Sequence, residues 1–128
     1  MRRFFVFVYC AALILGLSSI ASADEVAFKQ AAFDQGLAAG RPVILDFFAS
    51  WCPTCRAQKP VVAALMASPR FKAVTLFVAD FDTEKKLEQR LHVTQQSTFV
   101  VFKNGKEVGR STGQTREEDL EALFAKAL

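Results

Sequence analysis

Two hydrophobic patterns alternate along residues 24–128 and predict the order of helices and strands. Residues 43–48 and 73–81 form nearly continuous apolar runs, typical of strands buried on both faces of a sheet. Apolar residues recurring every three or four positions predict helices over 30–39, from 53 until Ser68-Pro69, over 84–91, and in the last segment. The resulting order, (β)αβαβαββα, predicts an α/β fold with a central mixed β-sheet flanked by helices on both faces.

The end of the chain carries two short local signals. Asn104-Gly105 stands between the strand-like runs 98–102 and 107–111, and this dipeptide is a strong signal for a β-hairpin. Thr115, followed three residues later by Glu118, predicts a capping box at the start of the last helix.

The first 23 residues have the pattern of a cleaved secretory signal peptide. Arg2 and Arg3 precede an apolar stretch over residues 4–17, and Ala21-Ser22-Ala23 is a small-residue cleavage site. The sequence therefore predicts a leader over 1–23 and a single domain over 24–128. The alternative is an uncleaved leader that tethers the protein to a membrane, because the apolar stretch approaches the roughly 18 residues a span needs.

Without the leader, the charge balance changes. The full chain has 16 basic and 13 acidic residues, and removing Arg2 and Arg3 lowers the net charge from +3 to +1. So small a charge predicts no nucleic-acid partner. The length suits one compact domain, and we expect a monomer.

The leader also contains Cys10, so the predicted domain retains only Cys52 and Cys55. A disulfide closing so small a loop constrains little unfolded-chain entropy and is a poor structural staple. A structural zinc site needs about four ligands, but His92 is the only histidine and residues 24–128 contain no third cysteine. A working redox pair is the better interpretation.

The position of the pair predicts unequal roles. Cys52 lies where the strand 43–48 gives way to a helix, and the positive end of the helix dipole favours a thiolate there. Pro53 is tolerated in the first turn, where its missing N–H is harmless. Cys55 lies one turn further in and should have the higher pKa. We therefore expect Cys52 to be the nucleophile and Cys55 to resolve the mixed disulfide.

These residues make the chain resemble the thioredoxin family. The segment 51–55 matches its W-C-x-x-C signature, the segment 102–105 matches its F-K-N-G hairpin, and Gly113 matches the glycine closing its last strand. The resemblance implies a thioredoxin fold and thiol–disulfide exchange, with the redox-active disulfide Cys52–Cys55 and no other cofactor or metal. It also implies that Trp51, with Pro53 and Thr54, contacts client proteins.

Asp46 lies among apolar neighbours in the central strand and resembles the family's buried acid. Burial should raise its pKa, which would make it a base for the Cys55 thiol, directly or through water. Family members often place a lysine near this acid on the next strand. Val78 occupies that place here, so this charge partner is missing.

A second departure lies in the stretch 95–98, where Ser97 occupies the place of the family's cis-proline. The resemblance makes Gln96, Ser97 and Thr98 candidates for binding the client backbone. A cis bond before serine costs about 2.5–4 kcal/mol, so we expect a trans bond. The Ser97 hydroxyl could then hydrogen-bond a thiolate.

Export and the residues between the cysteines suggest the direction of the reaction. Pro53-Thr54 supplies no charge to stabilise the reduced form, which favours a reductase. An exported reductase would resemble periplasmic thioredoxin-like proteins, which reduce disulfide-containing client proteins. These proteins receive their electrons from a membrane carrier of the DsbD/CcdA type. The alternatives are a periplasmic disulfide oxidase or isomerase, and a Cu(I)-binding module that uses the two thiolates.

Overall fold

The computed structural model describes residues 24–128, and the predicted leader lies outside them. The strands are β1 (Asp24–Ala27), β2 (Val43–Phe48), β3 (Thr75–Asp80), β4 (Thr98–Lys103) and β5 (Lys106–Thr112). The α-helices are α1 (Gln30–Ala38), α2 (Pro53–Ala67), α3 (Lys85–Leu91) and α4 (Glu117–Phe124). Short 3₁₀ turns follow α2 and α4, at Pro69–Phe71 and Ala125–Ala127. No helix within residues 24–128 is long and apolar enough to cross a membrane.

The five strands form one sheet in the order β1-β3-β2-β4-β5. Strands β1, β3 and β2 run parallel, and β4 and β5 are antiparallel to their neighbours. The mixed sheet is therefore as the sequence predicts. Strand β2 lies at its centre, with Asp46 paired to Val78 on one side and Phe99 on the other.

Each face of the sheet is covered by its own apolar cluster. Helices α2 and α4 pack on one face, where the rings of Phe99 and Phe124 meet edge-to-face with centroids 5.2 Å apart. Helices α1 and α3 pack on the other, where Phe33 contacts Phe102 with centroids 5.4 Å apart. Such pairs add to the free energy of burial, and their distribution confirms helices on both faces.

The β4–β5 hairpin turns at the predicted dipeptide. Asn104 and Gly105 have φ angles of +51° and +76°, the left-handed pair that a tight two-residue hairpin requires. A Cβ on Gly105 would lie 3.0 Å from the carbonyl oxygen of Leu37. Glycine is therefore required here both by backbone conformation and by the close approach of α1.

The predicted capping box at the last helix is wrong. The residue before α4 is Arg116 rather than Thr115, and its side chain makes no capping hydrogen bond. The side-chain oxygen of Gln114 instead accepts hydrogen bonds from the backbone N–H groups of Thr115 and Arg116, at 3.0 and 3.1 Å. This glutamine turn replaces the threonine cap, and the helix starts one residue later than predicted, at Glu117.

Candidate functional site

Cys52 and Cys55 lie at the carboxyl end of β2, where the chain enters α2. Cys52 is the N-cap residue of α2, and its sulfur accepts a hydrogen bond from the backbone N–H of Cys55 at 3.1 Å. A sulfur in this position satisfies one of the free N–H groups that every helix start exposes. Both cysteines are free thiols and are buried.

The two sulfurs have opposite pKa shifts. Burial acts to raise the pKa of Cys52, but hydrogen bonds from Cys55, from Ser97 and from the backbone of the first helical turn outweigh it, so the pKa of Cys52 is lowered. Burial and the neighbouring Cys52 raise the pKa of Cys55. The predicted asymmetry is confirmed: Cys52 is the better thiolate, and Cys55 holds its proton.

Ser97 lies against both sulfurs. Its Oγ is 3.0 Å from Cys52 Sγ and 3.1 Å from Cys55 Sγ, and the residue is buried. Residues 24–128 contain no cis peptide bond, so the prediction of a trans bond before Ser97 is confirmed. The backbone of Ser97 is left-handed, with φ +59°, a conformation uncommon for a residue with a Cβ.

Three hydrogen bonds hold Ser97 in this conformation. Its N–H donates to the carbonyl of Phe47 at 2.9 Å, and its carbonyl accepts from the N–H of Gly113 at 2.9 Å. The side-chain amide of Gln58 also approaches that carbonyl, at 3.4 Å. The strand next to the cysteines, the last strand's end and α2 therefore all contribute to placing the hydroxyl.

Gln58 was not identified from the sequence. It is fully buried, and its amide nitrogen donates to the carbonyl of Gln114 at 2.8 Å as well as approaching Ser97. A signal was nevertheless present, because Gln58 lies on the same helix face as Cys55 and Val62, where the periodic pattern calls for an apolar residue.

Asp46 is buried beneath this edge, as predicted. Burial, with a smaller effect from the charge of Glu25, raises its pKa to about 7, and the charge of Lys59 acts in the opposite direction. Its Oδ1 has no hydrogen-bond partner. Val78 lies beside it in the sheet, so the expected absence of a lysine on the next strand holds. The sequence analysis did not identify Lys59 of α2 as the cation whose charge acts on Asp46.

Trp51 is exposed beside the pair, with 54% of its surface accessible. Its indole N–H donates to the carboxylate of Asp82, with Nε1 2.9 Å from Oδ2 and 3.1 Å from Oδ1. Pro53 is also exposed and Thr54 is half-buried. These three residues thus border the buried sulfurs, and the fixed indole supplies a flat apolar surface.

The other two predicted contact residues differ in accessibility. Gln96 is half-buried, next to Ser97. Thr98 is buried, and its hydroxyl donates to the carbonyl of Gln95 at 2.8 Å and lies 2.8 Å from Thr112 Oγ1. The Thr98 side chain therefore fixes the loop to β5, while its role in binding a client stays a prediction.

The arrangement of the site supports two-electron sulfur chemistry. Within the described domain, no group of three or more histidine, cysteine, aspartate or glutamate side chains is placed to hold a metal ion. A lowered-pKa nucleophile, a protonated second thiol and an exposed apolar border are what stepwise disulfide exchange requires.

Comparison with known proteins agrees with this chemistry. The sequence model of the family described as Thioredoxin matches residues 24–126. The chain belongs to the thioredoxin family. It is 36% identical over 98 residues to thioredoxin of Chlamydia trachomatis, covering 77% of this chain and 93% of that protein. It is 31% identical over 101 residues to thioredoxin-1 of Saccharomyces cerevisiae, covering 78% and 96% respectively.

A solved structure gives the same result. The structure of Trxlp from Edwardsiella tarda superimposes with a TM-score of 0.77 at 38% sequence identity, covering 79% of this chain and 98% of that one. The fold class predicted from the sequence is confirmed as the thioredoxin fold. As a member of this family with its Cys52/Cys55 pair, the protein is a thioredoxin-like thiol–disulfide oxidoreductase.

Proposed function

We propose that the protein is a periplasmic reductase of protein disulfides. Cys52 attacks a client disulfide, and Cys55 then displaces the client from the mixed disulfide. The observation that carries this proposal is the pair itself, with a lowered pKa at Cys52 and a raised pKa at Cys55. The exposed Trp51 beside them offers a docking surface for an extended client segment.

The direction of reduction is supported by the residues between the cysteines. Pro53 and Thr54 carry no charge, whereas a cation there would stabilise the thiolate and make the disulfide more oxidising. The signal-peptide pattern of residues 1–23 supports export. An exported reductase needs an external source of electrons, which we assign to a membrane carrier of the DsbD/CcdA type. The clients are exported proteins with disulfides, and the protein acts as a monomer.

One observation favours a second candidate, a periplasmic oxidase or isomerase. Ser97 Oγ is within hydrogen-bond distance of both thiols, and a hydrogen bond to a thiolate stabilises the reduced form. Stabilising the reduced form raises the reduction potential and shifts a dithiol towards donating disulfides.

The redox equilibrium of residues 24–128 against glutathione and dithiothreitol buffers separates the two candidates. A potential at or below about −230 mV, towards the thioredoxin end of the range, is expected for the reductase. A potential above about −180 mV contradicts the proposal and supports disulfide formation or isomerisation.

Turnover of insulin disulfides tests the two cysteine roles. Cys52→Ser should abolish reduction, because the nucleophile is lost. Cys55→Ser should retain the first attack and accumulate mixed disulfides, which mass spectrometry detects. Unchanged turnover in either variant contradicts the assignment. His92→Gln is a suitable control, because His92 is exposed at the end of α3.

A further inference from the structure

The Ser97 hydroxyl contacts two sulfurs but can donate only one hydrogen bond. Its Oγ lies 3.0 Å from Cys52 Sγ and 3.1 Å from Cys55 Sγ. A serine hydroxyl has one proton to donate and two lone pairs with which to accept. At any moment it can therefore donate to one sulfur and accept from the other.

The state of the cysteines decides which sulfur receives the proton. When Cys52 is a thiolate and Cys55 a thiol, the hydroxyl donates to Cys52, since a charged acceptor makes the stronger hydrogen bond. When Cys52 is joined to a client, it carries no charge and is a weak acceptor. The hydroxyl is then available to donate to Cys55.

The backbone around Ser97 is arranged to keep the hydroxyl in this place. A left-handed φ of +59° is unfavourable for serine, yet hydrogen bonds to Phe47 and Gly113 at 2.9 Å hold it there. Strained backbone that is held by its surroundings often occurs at functional sites. An extended backbone at this position would carry the hydroxyl elsewhere.

The other candidate for assisting Cys55 is not hydrogen-bonded to it. Asp46 Oδ1 has no hydrogen-bond partner, and within residues 24–128 the cysteine sulfurs form hydrogen bonds with each other, with Ser97 and with the backbone. Ser97 is therefore the side chain in direct contact with both reacting atoms.

We propose that Ser97 is a third catalytic residue whose single hydroxyl proton serves the two cysteines in turn. It stabilises the Cys52 thiolate before attack on a client and the Cys55 thiolate during resolution. The proposal rests on the thiol–disulfide exchange of the family and holds whether the protein reduces or oxidises its clients.

The resolving step balances as follows. The Cys55 thiol releases its proton to solvent, and the resulting thiolate accepts the Ser97 hydrogen bond. The Cys55 sulfur then forms a bond to Cys52 Sγ, while the bond between Cys52 and the client sulfur breaks. The electron pair of that bond leaves on the client sulfur, which takes a proton from solvent. The dithiol is oxidised to a disulfide, and the client half is reduced to a thiol.

Ser97→Ala and Ser97→Gly test the proposal in residues 24–128. Alanine keeps the Cβ and adds no new backbone strain, while glycine relieves the strain at positive φ. Both lack the hydroxyl, so a shared effect comes from the hydroxyl and not from the backbone. Ser111→Ala is the matched control, because Ser111 Oγ is a buried hydroxyl that makes no hydrogen bond to either sulfur.

Two readouts report the two steps separately. The first step in the ultraviolet absorbance of the thiolates against pH reports Cys52, because its pKa is the lower of the two. The titration is repeated in an Asp46→Asn background, because Asp46 is a buried carboxyl on the same strand that leads to the cysteines. For resolution, the reduced protein is mixed with glutathione disulfide and quenched with acid. Mass spectrometry then counts the mixed disulfide on Cys52 and the finished Cys52–Cys55 disulfide over time.

In both Ser97 variants, we expect the Cys52 titration to move to higher pH and the resolving rate constant to fall at least about tenfold, the lower end for a hydrogen bond to a charged group. The glutathione mixed disulfide should accumulate, and Ser111→Ala should match the parent protein. A shifted titration with unchanged resolution would overturn the shared role, as would no change in either readout. An equal loss in Ser111→Ala would also overturn it. The redox potential tests the proposed direction of the reaction, whereas these rates test the role of Ser97, so either proposal can be contradicted without the other.

Discussion

Both ends of β4 are flanked by a residue with left-handed backbone, but one of these residues is buried and the other is exposed. Strand β4 is preceded by Ser97 and followed by Asn104, and both are non-glycine residues with left-handed backbone, at φ +59° and +51°. Asn104 is exposed in a two-residue turn. Ser97 is buried against two sulfurs, and Asp46 of β2 pairs with Phe99, two residues further along the chain.

The difference shows where the conformation comes from. At Asn104, the neighbouring glycine and the hairpin connection are enough, because asparagine tolerates left-handed backbone and the turn type requires it. At Ser97, the conformation is imposed by partners that are distant in sequence, including Phe47 and Gly113. One end of the strand is a local turn, and the other is a tertiary site that carries buried polar groups.

The largest effect on the free energy of unfolding is expected from Asp46→Asn in β2, the strand that pairs with β4. The native carboxyl has a pKa of about 7, against about 3.9 in an unfolded chain. Between these values the native state holds a proton that the unfolded state has released, so the free energy of unfolding falls as pH rises from about 4 to about 7. The penalty is on the order of 4 kcal/mol.

Asp46→Asn should therefore remove most of this pH dependence and unfold at higher denaturant concentration than the parent near pH 8, with the gap closing towards pH 4. Urea unfolding at several pH values measures it. Glu117→Gln is the control, since Glu117 is exposed on α4 and surface changes usually stay within about 0.5 kcal/mol. Parallel pH curves for the parent and Asp46→Asn would show that the carboxyl is not destabilising.

A smaller loss of stability is expected from Gln58→Met, a substitution that keeps the length of the side chain and removes its amide. The carbonyls of Gln114 and Ser97 lose their contacts with Nε2 at 2.8 and 3.4 Å. We expect a loss of about 1–3 kcal/mol in the free energy of unfolding, measured by urea. The Cys52 titration should also move, because Ser97 is less firmly held. Gln89→Met, at an exposed position of α3, should change neither quantity.

The smallest effect is expected from Asn104→Ala at the exposed end. A left-handed backbone costs roughly 1–2 kcal/mol for an ordinary residue, and asparagine avoids part of this, so the free energy of unfolding should fall by about 1 kcal/mol. Insulin reduction should not change. If the activity fell together with stability, the two ends of β4 would be coupled and the contrast between them would not hold.

Most of the fold could be predicted because its signals are local. The buried run of β2, the periodic apolar stripe of α2 and the Asn104-Gly105 dipeptide each act over a few residues, and the observed elements end within two residues of the predicted ones. The start of α4 was predicted wrongly because two side chains could accept from the Thr115 N–H. In a capping box Glu118 would accept from it, but Gln114 does so in the structure, and the sequence does not show which of the two is favoured.

The candidate site was only partly predictable. Cys52, Cys55 and Asp46 could be placed because each sits at a defined point of one strand or helix. The left-handed Ser97 and the supporting Gln58 depend on contacts with residues at least 16 positions away in the sequence. Such contacts form only after the sheet and α2 have packed, and no local pattern encodes them.

The burial of Cys52 has a consequence for its chemical durability. Oxidation of cysteine to sulfenic and then irreversible sulfinic acid follows both thiolate character and exposure. Cys52 has a lowered pKa, but only 1% of its surface is accessible. Small dissolved oxidants therefore have little access to the Cys52 sulfur. A client protein that docks beside Trp51 and displaces the neighbouring side chains would gain access to it. Under the export proposed above, this difference in access would preserve the thiol between turnovers in an oxidising medium.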